Sequence, residues 1–206
     1  MPKGTGARAV DVLRRETCFQ GHMRMERVTF RHTLHGGGWS PPLSREVLER
    51  GHAAVVLPYD PARDTVILIE QVRVGALDDP AGAWTLEAVA GIIDAGEAAE
   101  TAARREAVEE TGRALEDLVL VADVLASPGC MTEGYAIFVG RVDGDGDGDV
   151  HGLGVEGEDI RVHVVPFAEA LAMVGDGRVR VSHTIIALQW LALSRDRIRA
   201  RWGARG

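Results

Sequence analysis

The sequence predicts an α/β protein, with helices packed on both faces of a mixed sheet in an α/β/α sandwich. Three observations lead there. β-Branched runs of strand length recur along the chain, most clearly HAAVVLPYD at 52–60 and TVILIEQVR at 65–73. A long segment rich in Ala, Glu and Arg, all good helix formers, lies between later strands. Two more helical patterns close the chain, so helices and strands are interleaved rather than segregated.

The elements follow in order. Residues 12–35 alternate enough to supply two strands and end at the Gly36-Gly37-Gly38 turn. Residues 52–60 and 65–73 flank Pro61-Ala62-Arg63-Asp64, which predicts a hairpin. A strand over 84–91 (WTLEAVAG) feeds the central helix, expected over 98–111, with Gly112 placed as its C-terminal stop. Strands are expected at 118–125, 135–142 and 160–165. In the last of these Ile160, Val162 and Val164 share one face. Helices are expected at 167–174 and 182–202. Ile185, Ile186, Trp190 and Leu193 give the final helix an apolar stripe. Its tail carries Arg195, Arg197, Arg199 and Arg201, which suit a helix C-terminus and are expected to be solvated.

Composition narrows the function. At 206 residues the chain is long enough for a substantial core. A net charge of −8 argues against a nucleic-acid-binding surface, which should be basic. It leaves phosphorylated small molecules open, because bound divalent cations reverse the local sign. Cys18 and Cys130 alone imply no disulfide framework and point to a reducing compartment. The first residues, MPKGTGARAVDVLRRE, contain no apolar signal core, and the greasy run 185–193 is too short to span a bilayer. The expectation is a cytoplasmic protein with neither nucleic-acid nor membrane partners.

The densest chemistry lies at 91–112, GIIDAGEAAETAARREAVEETG. Five residues separate Gly91 from Glu97 and seven separate Glu97 from Arg105. Glu106 and Glu110 share a helix face with Glu109 beside them. Like charges at that spacing cost about 0.2–0.5 kcal/mol per pair. A hard cation turns the repulsion into ligation, since Mg2+ prefers carboxylate oxygens. A plain acidic helix face is the bland reading, and the complete spacing favours the metal. Elsewhere Asp143, Asp145, Asp147 and Gly148 imitate the start of an EF-hand loop. The twelfth position, where that loop needs Glu, is Gly154, so a surface loop is expected. The seven histidines form no H-E-x-x-H pair, and Ser127 lies in SPG rather than G-x-S-x-G.

Gly91, Glu97, Arg105, Glu106, Glu109, Glu110 and Gly112 together resemble the Nudix box. Ala107 and Arg113 stand where that pattern carries bulky aliphatic residues. Both departures concern packing rather than chemistry. Glu87 and Ala90 in EAVAG, SPGCMTE at 127–133, HGLGVEGEDIRVHVV at 151–165 and IIALQWLAL at 185–193 extend the likeness. Over about 16–202 the chain resembles the ADP-ribose pyrophosphatase branch of the Nudix hydrolases.

The resemblance implies a Nudix fold with an N-terminal β extension swapped between the subunits of a homodimer. Residues 1–50 would form that extension, serving dimerisation and the adenine pocket, and 51–206 the hydrolase domain. It implies Mg2+, with Mn2+ as a substitute, held by the Ala90 carbonyl, Glu106, Glu110 and Glu158. Glu156 would activate the attacking water, Glu109 would join the catalytic set, and Arg105 would orient the box carboxylates. Arg45 and Arg73 would contact substrate phosphates, Glu133 would lie near the site, and Phe19 or His22 would stack on adenine. Gly152, Gly154 and Gly157 would let the loop carrying Glu156 and Glu158 close. The implied reaction is hydrolysis of ADP-ribose to AMP and ribose 5-phosphate. Three alternatives stay open: another nucleoside diphosphate sugar such as GDP-mannose, a non-catalytic nucleotide-sensing module, and a structural dimer. The intact Glu106, Glu109 and Glu110 weigh against the last two.

Overall fold

Strand-length apolar runs need partners for their backbone groups, and two separate sheets supply them. The computed structural model describes residues 8–144, 149–154 and 157–203. The chain divides into two compact units, one holding the chain up to His52 with Leu125–Gly134, the other Ala53–Val124 with Tyr135 onward.

In the first unit, β1 (Val10–Gln20), β2 (Arg24–His32) and β3 (Leu43–Glu49) form an antiparallel sheet in the order β1-β2-β3. The segment 125–134 joins through Leu48, whose N–H donates to the Cys130 carbonyl at 2.8 Å and whose carbonyl accepts from Thr132 N–H at 3.1 Å.

The second unit is built on β4 (Ala53–Asp60), buried along its whole length, as both-sided coverage requires. The other strands are β5 (Thr65–Val72), β6 (Trp84–Glu87), β7 (Val89–Ile92), β8 (Leu118–Leu125), β9 (Gly134–Arg141), β10 (Val150–His151) and β11 (Ile160–Pro166). Their order is β10-β11-β5-β4-β9-β8, with β6 on β5 and β7 on β4. Because β4 runs parallel to β9 and antiparallel to β5, the sheet is mixed. The helices are α1 (Ala99–Thr111), α2 (Phe167–Asp176) and α3 (Ser182–Trp202).

Alternation along β4 and β5 sends side chains to two cores. Ala54, Val56, Ile67 and Ile69 face Ala102, Ala103 and Ala107 of α1, joined by Ile160 and Val162. Val55, Leu57, Tyr59, Val66 and Leu68 face α2 and α3. Each fully buried Val, Leu or Ile stabilises the fold by about 1.5–3 kcal/mol. No described helix is long and apolar enough to cross a membrane.

Three expectations are corrected. The 84–91 strand is two strands with different partners. At the break, Ala88 N–H donates to Thr184 Oγ1 at 2.8 Å, which satisfies a donor that neither ladder takes. On α3, Ile185, Ile186 and Trp190 pack against the core as expected, beside buried Ala187, Leu188, Leu191, Ile198 and Trp202, while Leu193 is 90% exposed and lies off that face. The arginine tail is not simply solvated. Arg195 Nε donates to Asp64 Oδ1 at 2.8 Å and its guanidinium covers the Phe167 ring, and Arg201 Nη2 lies 3.0 Å from Asp117 Oδ2.

Candidate active site

The box is a strand, a loop and a helix in succession. β7 pairs with β4, placing Ala90 opposite Val55. The loop is closed by Asp94 and Glu97. Asp94 N–H donates to Glu97 Oε2 at 3.1 Å, and Glu97 N–H donates to the Asp94 carbonyl at 2.9 Å. α1 then runs to Gly112, whose φ of 68° is the left-handed stop that glycine permits. Ala102, Ala103 and Ala107 are fully buried. The small residue at 107 therefore seats the helix close to the sheet instead of loosening it.

Gly91 shows how close. A Cβ there would lie 1.8 Å from Glu106 Oε1, so the Glu106 carboxylate occupies the space a side chain would need. Glu106 accepts from Arg105 Nη1 at 2.6 Å. The same guanidinium also serves Glu97 at 3.1 Å, Glu109 at 3.1 Å and the Ile92 carbonyl at 3.1 Å. Glu97, and after it Glu106 and Glu109, hold the Arg105 pKa up against burial.

Glu110 is 3% exposed and accepts from Ala90 N–H at 3.1 Å. Burial pushes its pKa up to about 8. Glu106 and Glu158 push the same way, while the Ala90 N–H and Arg73 oppose. Burial also raises Glu106, with Glu109 and Glu158 adding repulsion against the pull of Arg105. Glu158 accepts from Leu153 N–H at 3.0 Å, and the neighbouring Gly152 donates to the Glu109 carbonyl at 3.4 Å. Gly152 has a φ of 105°, and a Cβ there would lie 2.7 Å from Glu158 Cβ, so the chain can bring Glu158 in only over a glycine.

Glu106, Glu109, Glu110, Glu158, Ala90, Arg105 and Arg73 are thus drawn into one electrostatic neighbourhood within the second unit. As they stand, Glu106, Glu110 and Glu158 are each turned to a different donor. Among the described residues no three His, Cys, Asp or Glu side chains converge as a metal grip. The donor set nevertheless fits a hard cation. It is all oxygen, it is largely shielded from water with Glu110 buried, and it carries more negative charge than Arg73 and the shared Arg105 offset.

Arg45, Phe19 and Glu133 belong to the first unit. Arg45 is exposed on β3 and donates to the Ser44 carbonyl at 2.7 Å. Phe19 is 65% exposed, with its ring over Gly21. Glu133 is buried, with Arg50 Nε 3.4 Å from its Oε1. His22 is exposed. Glu156, with Asp145, Asp147 and Gly148 of the acidic loop, lies outside the described residues. One participant had no assigned role in the sequence. Glu87, buried, receives Arg73 Nε at 2.9 Å and Nη2 at 2.8 Å. Its place in EAVAG drew notice, but only strand register shows what it holds.

A mixed sheet with helices on both faces, and a strand-loop-helix that buries uncompensated carboxylates, define a Nudix hydrolase. The sequence profile of the NUDIX domain matches residues 49–185, and the chain belongs to that family. The ADP-ribose pyrophosphatase of Escherichia coli (strain K12) is 44% identical over 202 residues, spanning 98% of this chain and 97% of that one. The GDP-mannose pyrophosphatase of Pectobacterium atrosepticum is 41% identical over 70% of this chain and 75% of its own. The crystal structure of an ADP compounds hydrolase shares the fold, with a TM-score of 0.68, 22% identity, and coverage of 95% of this chain and 96% of that one.

Proposed function

We propose that this protein hydrolyses the pyrophosphate bond of ADP-ribose, giving AMP and ribose 5-phosphate, with Mg2+ as cofactor and Mn2+ as a substitute. The observation that carries the reading is the 44% identity to an ADP-ribose pyrophosphatase along nearly the whole of both chains. The mutually repelling Glu106, Glu110 and Glu158, with Glu110 buried and the other two partly so, supply its chemistry.

In this reading Glu106, Glu110, Glu158 and the Ala90 carbonyl hold the cation. When bound, it polarises the pyrophosphate and lowers the pKa of a water. Glu156 takes the proton of the attacking water, and Glu109 belongs to the same catalytic set. Arg105 keeps the box carboxylates oriented, a role supported by its bonds to Glu97, Glu106 and Glu109. Arg73 and Arg45 bind phosphate oxygens, Glu133 lies near the substrate, and Phe19 stacks on adenine. A general base contributes about 10²–10⁴-fold, so Glu156→Gln should lower kcat by that range and leave KM nearly unchanged.

The reading includes a homodimer in which residues 1–50 swap to a partner and help build its adenine pocket. The 48% and 65% exposure of Val12 and Phe19 supports it, as apolar surface wants cover. Sedimentation should give a dimer, and deletion through residue 35 should dissociate it. A monomeric full-length protein ends that part of the reading. A cytoplasmic location is also part of it, supported by the free, exposed thiols of Cys18 and Cys130.

The likeness to a GDP-mannose pyrophosphatase favours a second reading, the same chemistry on another nucleoside diphosphate sugar. A product assay over a panel of such sugars, with and without Mg2+, decides between them. ADP-ribose should be cleaved best and only with the cation. Preferred cleavage of GDP-mannose selects the second reading, and turnover undiminished by chelation removes the metal.

A further inference from the structure

Arg73 follows directly on the last residue of β5, and its guanidinium is held from one side. Nε lies 2.9 Å from Glu87 Oε1 and Nη2 lies 2.8 Å from Glu87 Oε2, a parallel two-bond fork. The register of β5 and β6 sets Glu87 opposite Ile69 and Thr85 opposite Gln71. The Thr85 hydroxyl donates to the same carboxylate. Glu87 is 1% exposed, and a carboxylate so buried is tolerated only when fully partnered. The fork uses Nε and Nη2. Nη1 makes no hydrogen bond among the described residues. Beyond Glu87, the charges with the largest effect on Arg73 are Glu110 and Glu158, both of the candidate active site.

We infer that Glu87 is a positioning residue for hydrolysis: it grips Arg73 by Nε and Nη2 so that Nη1 is presented to a substrate phosphate oxygen. This rests on the reading of Arg73 as a phosphate contact. An unrestrained arginine loses rotamer freedom each time it grips a ligand, whereas one already clamped has that freedom removed on folding. The clamp also fixes which corner of the fork faces outward.

The test compares Glu87→Gln, Arg73→Ala and the double variant. KM and kcat are measured with Mg2+, and the Kd of ADP-ribose is measured by calorimetry in EDTA. Gln keeps the volume and the bond from Thr85 but cannot accept both guanidinium donors as a carboxylate does. The loss of one charge-assisted contact predicts a rise of about 10- to 100-fold in KM and Kd for each single variant. kcat should change much less, and the double variant should be no worse than Arg73→Ala, because Glu87 acts through Arg73. Should Glu87→Gln fold poorly, Thr85→Val, which removes only the hydroxyl, should give a smaller rise of the same kind. A wild-type KM in Glu87→Gln beside a raised KM in Arg73→Ala overturns the clamp alone. So do additive losses in the double variant. A wild-type Kd in Arg73→Ala overturns both the clamp and the phosphate role on which it rests.

Discussion

Two places in the second unit bury clustered acids, and they have been solved in opposite ways. At the β4–β5 turn, buried Asp60 accepts from the N–H groups of Ala62 at 2.8 Å, Arg63 at 3.1 Å and Gly144 at 3.0 Å, and from Arg63 Nη1 at 2.7 Å. Asp64 beside it takes the Tyr59 hydroxyl at 2.7 Å and Arg195 Nε at 2.8 Å. Burial alone would raise Asp60, yet these donors hold its pKa below the usual 3.8. At the candidate active site, among the described residues, Glu110 and Glu158 each receive one backbone N–H, and Glu106 has a share of one busy arginine. There burial wins, and Glu110 sits at about 8. Burying an acid is therefore no sign of chemistry by itself. Burying one without enough donors is a cost that selection keeps only for a purpose, which a bound cation would supply.

Glu110 separates the two clusters most sharply. Glu110→Gln should lower ADP-ribose turnover by several orders of magnitude while thermal stability without added cation stays level or rises. A large loss of Tm would mean Glu110 is structural like its counterpart at the turn. Asp60→Asn should do the reverse, costing about 1–3 kcal/mol in denaturant unfolding with kcat and KM near wild type. Inactivity in a folded Asp60→Asn protein would erase the distinction between the clusters.

His183 asks whether an uncompensated buried group must be functional at all. It lies edge-on to Tyr135, and neither ring nitrogen has a hydrogen-bond partner among the described residues. Burial lowers its pKa to about 4, with Glu87 opposing and Arg73 assisting. The folded state then refuses a proton that the unfolded chain accepts near 6.5. Stability from this group is whole above pH 6.5 and is lost as pH falls toward 4, at no more than about 1.4 kcal/mol per pH unit. His183→Leu should flatten that limb of a Tm-versus-pH curve, and an unchanged limb would assign the acid loss elsewhere. The smallest effect concerns Mg2+. At ten times its Kd it should stabilise the wild type by about 1.4 kcal/mol and the Glu110→Gln protein by much less.

Much of this was legible in the residues because local patterns decided it. The turn at 61–64 between β-branched runs gave the hairpin, and composition plus Gly112 gave α1 almost to the residue. β3 escaped notice because Ser44, Arg45 and Glu46 carry no apolar signal. Its order comes from pairing with β2. On α3 only Leu193 departs from the expected stripe, because Leu191, Ala192 and Leu193 follow one another and apolarity alone does not say which of them faces inward. Ile198 and Trp202, the large apolar residues of its arginine-rich tail, mark the true face. The partners of the acids are through-space facts. Asp64 meets Arg195 across 131 positions, and Arg73 meets Glu87 through strand register, so spacing along the chain could reveal neither.

The glycine that opens the box carries a last consequence, for anyone who redesigns this protein. Position 91 is not glycine for the sake of an unusual backbone angle, since its φ is not among the positive ones. It is glycine because Glu106 fills the volume its side chain would take. A side chain at 91 therefore requires the flexible end of Glu106 to swing away from its place, so the two positions are best varied together. A shorter acid at 106 is the change that would make room for alanine at 91.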